Sequence, residues 1–283
     1  MIVYLNGRFV ASDQAMVSVF DRGFLYGDGL FETMRIDAGH PWLWDAHAHR
    51  LSEGAKALRI TLPSSPDQLR DALNELLRRN GLTDAIARIS ISRGAGHRGY
   101  SIRGSEQPTV VITVHPAAPF PANPPPPWRL RTAQARLPAG DPFAPFKTAS
   151  KLLHILARAE AEEAGADEAL LLNTSGHIAE TSAANLFWIE KHGACTPHPD
   201  AGGLAGVTRG FVMGLLRNAG WEVREVLASP DALHAANGVF ATVSTQGLVE
   251  VSHLDGSPLA RDPRIADLQW MYRDAVRAPA PSA

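Results

Sequence analysis

Lysine is scarce in this chain. Of its 27 basic residues only four are lysines, Lys56, Lys147, Lys151 and Lys191, and the rest are arginine. Arginine can do most surface work of lysine, but its guanidinium stays protonated and cannot form a Schiff base. A lysine amine can lose its proton when its surroundings lower its pKa. Each of the four is thus a better candidate for a task needing an amine, against the plainer reading that all four are solvated. Cysteine is scarcer still. Cys195 stands alone, which excludes an internal disulfide. With no Cys/His signature around it, it reads as a small inert apolar residue, and a reduced, cytoplasmic setting fits. Charge of one sign is also missing: the formal net charge is −2, and no basic stripe argues for a nucleic-acid partner. No apolar run reaches the roughly 18 residues of a membrane span. The start, Met1 to Gly7, lacks the basic region and cleavage site of a signal peptide, so none is expected.

What is present fits a globular protein, with 45% hydrophobic and 20% charged residues. At 283 residues, two lobes are the natural expectation. Val3 to Val10 reads as a hairpin turning at Asn6-Gly7, and a second hairpin turns at Asp37-Ala38-Gly39. Ala46 to Leu58 and Pro66 to Arg79 read as helices, the second with a stripe of Leu69, Leu73, Leu76 and Leu77. Ala85 to Ser92 and Thr109 to Val114 read as strands. Seven of the twelve residues from Pro116 to Pro127 are proline, a stiff, extended composition that cannot join a helix or a central strand. It is expected to link an N-terminal domain, 1–115, to a C-terminal domain, 128–283. In the latter, Ser150 to Ala164 reads as an amphipathic helix with Leu152, Leu153, Ile155, Leu156 and Ala159 facing in. Hairpin strands flank Asn173 to Gly176, Val207 to Asn218 is helical, and further strands follow to Val251. Ala278 to Ala283 reads as a frayed tail. The fold class is mixed α/β: a small α+β N-terminal lobe and a larger, β-rich α/β C-terminal lobe.

Lys147 lies in Phe143-Ala144-Pro145-Phe146-Lys147-Thr148-Ala149-Ser150-Lys151, at the mouth of the expected helix. Burial beside Phe143 and Phe146 would disfavour the charged amine, and Lys151 would add like-charge repulsion. A neutral amine is what an aldehyde needs for imine formation. A dianion site is also legible: Gly206-Val207-Thr208-Arg209 opens a helix after a glycine-rich stretch, and free N–H groups at a helix start bind phosphate. His47 and His49 point apart on a helix, so no metal site is expected there.

The run from Lys147 to Phe187, KTASKLLHILARAEAEEAGADEALLLNTSGHIAETSAANLF, resembles the core of the fold-type IV pyridoxal-phosphate enzymes (class IV aminotransferase-like). Asp21 to Thr33, DRGFLYGDGLFET, resembles the same family's entry signature. The resemblance implies a two-domain enzyme with pyridoxal 5'-phosphate held by Lys147 as the catalytic lysine. It implies Glu180 at the pyridine nitrogen, where a carboxylate keeps the ring protonated and a better electron sink. For the phosphate it implies Arg50, in His47-Ala48-His49-Arg50-Leu51, with Val207, Thr208, Ser244 and Thr245. Ser92 to Ser101, SRGAGHRGYS, is similar to a stretch of the aminodeoxychorismate lyases within that family, which implies Phe31, Arg98 and Tyr100 as substrate-binding residues. The reaction expected is release of 4-aminobenzoate and pyruvate from 4-amino-4-deoxychorismate. The alternative is transamination of D- or branched-chain amino acids. Many relatives carry asparagine where this chain has Ser150, which weakens the transfer of a substrate. A small-molecule amino substrate and a homodimer are the partners implied.

Overall fold

The computed structural model describes residues 1–277, so the expected tail at Ala278 to Ala283 lies outside the described residues. They form two compact units: residues 1–119 with 146–150, and residues 120–145 with 151 onward.

The first unit is an antiparallel sheet in the order β2-β1-β6-β5-β3-β4. Its strands are β1 (Ile2–Leu5), β2 (Arg8–Ala11), β3 (Gly29–Asp37), β4 (His40–Pro41), β5 (Ala85–Ser92) and β6 (Thr109–Pro116); its helices are α1 (Arg22–Tyr26), α2 (Trp44–Ala57) and α3 (Pro66–Asn80). The β1–β2 turn forms at Asn6-Gly7, both at positive φ (47° and 86°), as a tight hairpin requires. In β5 the period of two sends Ala85, Ala87, Ile89 and Ile91 into the core. There they meet Met34, Ile112 and Val114 from neighbouring strands and Leu51, Leu69, Leu73 and Leu76 from α2 and α3. α3 starts on a capping box in which Ser65 and Gln68 satisfy each other's backbone N–H. Its four expected leucines are all buried.

The second unit carries a mixed sheet in the order β12-β11-β10-β13-β14-β7-β8-β9, with β15 on β14. The strands are β7 (Trp128–Leu137), β8 (Glu168–Asn173), β9 (Ile178–Thr181), β10 (Asn185–Ile189), β11 (Gly193–Pro197), β12 (Glu222–Val226), β13 (Gly238–Val243), β14 (Gly247–Leu254) and β15 (Ser257–Pro258). The helices are α4 (Leu152–Glu163), α5 (Val207–Asn218), α6 (Asp231–Ala235) and α7 (Arg264–Arg277). None of the described helices is long and apolar enough to cross a membrane.

One expectation is corrected here. The apolar side chains expected to face in from α4 do not: Leu152, Leu153, Ile155, Leu156 and Ala159 are exposed, and the helix packs through Ala157 and Ala161. Those alanines meet Ala133, Ala169 and Ala179 of the sheet. Small side chains on both sides allow closer packing than a leucine stripe would. The proline-rich stretch 116–127 spans the boundary between the two units, which falls between Pro119 and Phe120. β6 runs to Pro116. From Phe120 on the chain is tied to α7, with Arg277 and Arg273 donating to the Phe120 and Ala122 carbonyls. Cys195 is buried in β11, and burial together with Glu190 pushes its thiol up to about 11.

Candidate active site

Lys147 does not open a helix, because α4 begins only at Leu152. Residues 146–150 run beside the start of β3. The Phe31 N–H donates to the Lys147 carbonyl at 2.9 Å and the Ala149 N–H to the Gly29 carbonyl at 2.8 Å, with a bridge between Leu30 and Thr148. These bonds group Lys147 with the first unit, although it follows the proline-rich stretch in sequence. The ring against its amine is Phe31, with Nζ 4.7 Å from the ring centre. Phe143, expected to bury it, is itself exposed. Phe31 and Lys147, both expected at the site, are thus together.

Arg50 projects from α2 and grips the buried carboxylate of Glu32. Nε donates to Oε1 at 2.8 Å and a terminal nitrogen to Oε2 at 2.7 Å. The His47 Nδ1 is 2.7 Å from Glu32 Oε2. Burial alone would raise the Glu32 carboxyl, but the bonds from His47 and Arg50 outweigh it and hold the group below its ordinary value. Burial pushes the His47 imidazole down against the pull of Glu32, and the charges of Arg50 and Lys147 push the same way. The ring is therefore neutral near pH 7 and donates from Nδ1. Sequence reasoning misses this pairing of Glu32 with His47, because nothing local to either residue signals it.

The glycine- and arginine-rich motifs are scaffolding. Asp28 accepts from Arg22 Nε at 2.8 Å and from two nitrogens of Arg93 at 2.8 and 3.0 Å. Arg22 also donates to the carbonyls of Gly99 and Ser101, and Arg93 to those of Leu58 and Arg59. Burial pulls the Asp28 carboxyl up, yet the two arginines bring it net below its ordinary value. Together they fix the loop that follows β5. At its tip Arg98 is exposed and makes no hydrogen bond among the described residues. Tyr100 is 87% exposed, its ring resting 5.6 Å from that of Tyr26.

In the second unit, the hairpin at Asn173 to Gly176 delivers Glu180 on β9, 6% exposed. Its Oε1 is 2.9 Å from His154 Nε2, and its Oε2 accepts the Leu204 N–H at 3.0 Å. The Nδ1 of His154 is buried and makes no hydrogen bond among the described residues. α5 begins at Val207 after Gly206, with no side-chain cap among the described residues. A Cβ on Gly206 would lie 1.8 Å from Asn185 Oδ1, so only glycine lets the helix start approach β10 this closely. Thr208 Oγ1 and Ser244 Oγ lie 3.2 Å apart, and Thr245 follows Ser244 in the turn after β13. An uncapped helix start beside paired hydroxyls offers the kind of donors that anions take. The structure thus brings together Val207, Thr208, Ser244 and Thr245, and holds Glu180 by both oxygens. His154 has no signal in the sequence, since it sits on α4 in a stretch that reads as core.

The profile of amino-transferase class IV matches residues 29–254. A protein of Methanocaldococcus jannaschii, named provisionally as a branched-chain-amino-acid aminotransferase, is 35% identical over 90% of this chain and 88% of its own. The aminodeoxychorismate lyase of Bacillus subtilis is 30% identical over 98% and 95%. Among solved structures, the branched-chain aminotransferase of the archaeon Thermoproteus uzoniensis, with norvaline, superposes with a TM-score of 0.90 at 27% identity, covering 98% of this chain and 94% of that one. A second branched-chain amino acid aminotransferase, from T.th. and complexed with N-(5'-phosphopyridoxyl)-L-glutamate, gives 0.89 at 30% identity, covering 99% and 95%. With a family profile spanning most of its length and relatives matched nearly end to end, the chain is an enzyme that belongs to amino-transferase class IV.

Proposed function

We propose that the protein is a pyridoxal 5'-phosphate-dependent lyase that converts 4-amino-4-deoxychorismate to 4-aminobenzoate and pyruvate. The cofactor assignment draws on the relative complexed with a phosphopyridoxyl compound and on the fit of the residues present. The uncapped start of α5 with Thr208 and Ser244 suits a phosphate. Val207, Thr208, Ser244 and Thr245 would hold that end, with Arg50 as a further cation that Glu32 keeps in place. Pyridoxal phosphate, when bound, supplies an electrophilic carbon for an amine and a ring that takes up electrons. The Lys147 Nζ would attach it and move the substrate's proton as base and acid. Glu180 would face the ring nitrogen, its carboxylate kept from swinging by His154 and the Leu204 N–H. The lyase reading rests on the loop Ser92 to Ser101, which Arg22 and Arg93 build into a fixed shape with Arg98 and Tyr100 outermost. It is supported by the lyase relative.

The second reading, a transaminase for branched-chain or D-amino acids, is favoured by the relatives of that name. Incubation with 4-amino-4-deoxychorismate and no keto acid separates the two. Release of 4-aminobenzoate and pyruvate supports the lyase. No release, with a spectral change on adding branched-chain or D-amino acids, makes it a transaminase. A Lys147→Ala protein that keeps the yellow absorbance would sink both. We also propose a cytoplasmic homodimer. Exposed Phe20 and Phe24 in one unit and Leu152 and Ile155 in the other are apolar surface that a second copy would cover. A monomeric mass by light scattering would overturn the dimer.

A further inference from the structure

His154 and His47 each bond a buried glutamate, but through different nitrogens. His47 uses Nδ1 toward Glu32, whereas His154 uses Nε2 toward Glu180 Oε1 at 2.9 Å. His154 stands on α4 three residues before Ala157, so it shares the side of the helix that packs on the sheet. Alanine at 157 and 161, facing Ala169 and Ala179, lets α4 come close enough to the sheet for an imidazole to reach Glu180. The other carboxylate oxygen takes the Leu204 N–H at 3.0 Å. A Cβ on Gly203 would lie 2.7 Å from the Ala179 carbonyl oxygen, so glycine is what lets that backbone approach β9. Each oxygen of Glu180 is thus given one donor and keeps acceptor capacity for another.

A carboxylate accepts and does not donate, so the proton between His154 and Glu180 sits on Nε2. The other ring nitrogen, Nδ1, is buried and has no hydrogen-bond partner among the described residues. The histidine of a Ser-His-Asp triad can take a second proton because a carboxylate waits at its other nitrogen. Here no such acceptor stands among the described residues, and a second ring proton would be a buried donor without a partner. We propose that His154 is a positioning residue that acts as a one-way donor. It gives Glu180 a hydrogen bond and takes no proton from it. A proton shared between Glu180 and the cofactor's ring nitrogen therefore has no exit through α4. This rests on the placing of Glu180 at that nitrogen, proposed above.

The test compares pyridoxal phosphate with its deaza analogue, in which carbon replaces the ring nitrogen. Each is titrated into the full chain stripped of cofactor, with tryptophan fluorescence as the readout and no turnover required. The wild type should bind pyridoxal phosphate more tightly than the analogue, and Glu180→Gln should lose most of that preference. His154→Phe keeps a ring but no donor. It should weaken pyridoxal phosphate by about tenfold, the scale of a hydrogen bond to a charged group, and leave the analogue unchanged. His154→Gln offers an N–H that cannot carry a proton onward, and should restore the preference. The absorbance of its bound cofactor should follow pH as it does in the wild type. Thermal unfolding confirms that each variant is folded, and His154→Leu replaces the phenylalanine variant if that one is not. If His154→Phe keeps the preference, or weakens both compounds equally, the proposal is overturned while the reading of Glu180 stands. It is also overturned if His154→Gln fails to restore the preference or alters the pH dependence, the mark of a proton relay. If the wild type shows no preference, or Glu180→Gln keeps it, the reading of Glu180 fails and this proposal falls with it.

Discussion

Arg93 and Arg88 stand five residues apart, one just past the end of β5 and one within it, and they do opposite things. Arg93 is buried, with its donors divided between Asp28 and two backbone carbonyls. Arg88 is exposed on the sheet face, stacked on Phe31, with no carboxylate among the described residues. The first closes the protein on itself, and the second does not. In a chain where arginine has displaced lysine almost everywhere, the residue type says nothing about the role. What decides it is whether a carboxylate of the chain reaches the fork first.

The largest expected effect tests the buried side of this contrast. Arg93→Ala leaves Asp28 with one arginine instead of two and strands two carbonyls, and should cost about 3–5 kcal/mol in denaturant unfolding. A loss below about 1 kcal/mol would mean that Arg93 is no scaffold. Next comes pH. Asp28, Glu32 and His47 all have folded pKa values below their ordinary ones of 3.8, 4.5 and 6.5. For each, the unfolded chain takes up a proton that the folded one resists, so stability is complete above the ordinary value and drains as pH falls through the folded value. Unfolding free energy should begin to drop below pH 6.5 and fall more steeply below pH 4.5. Replacing His47 with glutamine should remove the first part of that decline; an unchanged profile would contradict the neutral, Glu32-bonded imidazole. The smallest effects belong to the exposed arginines. Arg88→Gln and Arg98→Ala should each change stability by less than about 0.5 kcal/mol, and a larger loss at Arg88 would recast it as scaffolding.

Much of the local structure is legible before the fold. Asn6-Gly7 announces its turn, Ser65 to Gln68 its cap, and Leu69, Leu73, Leu76 and Leu77 the buried stripe of α3. α4 misleads because it is apolar nearly all round, so periodicity cannot choose between the leucine side and the alanine side. Facing alanines on the sheet choose. α7 escapes the sequence reading although Ile265, Leu268, Tyr272 and Val276 recur at helical spacing and are all buried; charged residues between them dilute the pattern. At the site, Lys147 stands out because lysine is rare, and the Val207-Thr208 helix start because its glycines are local. Glu32, Arg88 and His154 do not, and nor does the role of His47, because each takes its meaning from a partner at least fifteen residues away or from a ring on the next strand.

The sequence by itself determined the family, the turns and caps, and which lysine has the context of a cofactor-bearing residue, because those signals lie in contiguous strings. The tertiary structure alone decided that Phe31 is the ring against Lys147, that α4 packs by its alanines, and that Arg22, Arg50 and Arg93 are committed while Arg88 is not. Those outcomes depend on which strand lies beside which and on which carboxylate comes within hydrogen-bond reach, and chain order does not encode either in any local pattern.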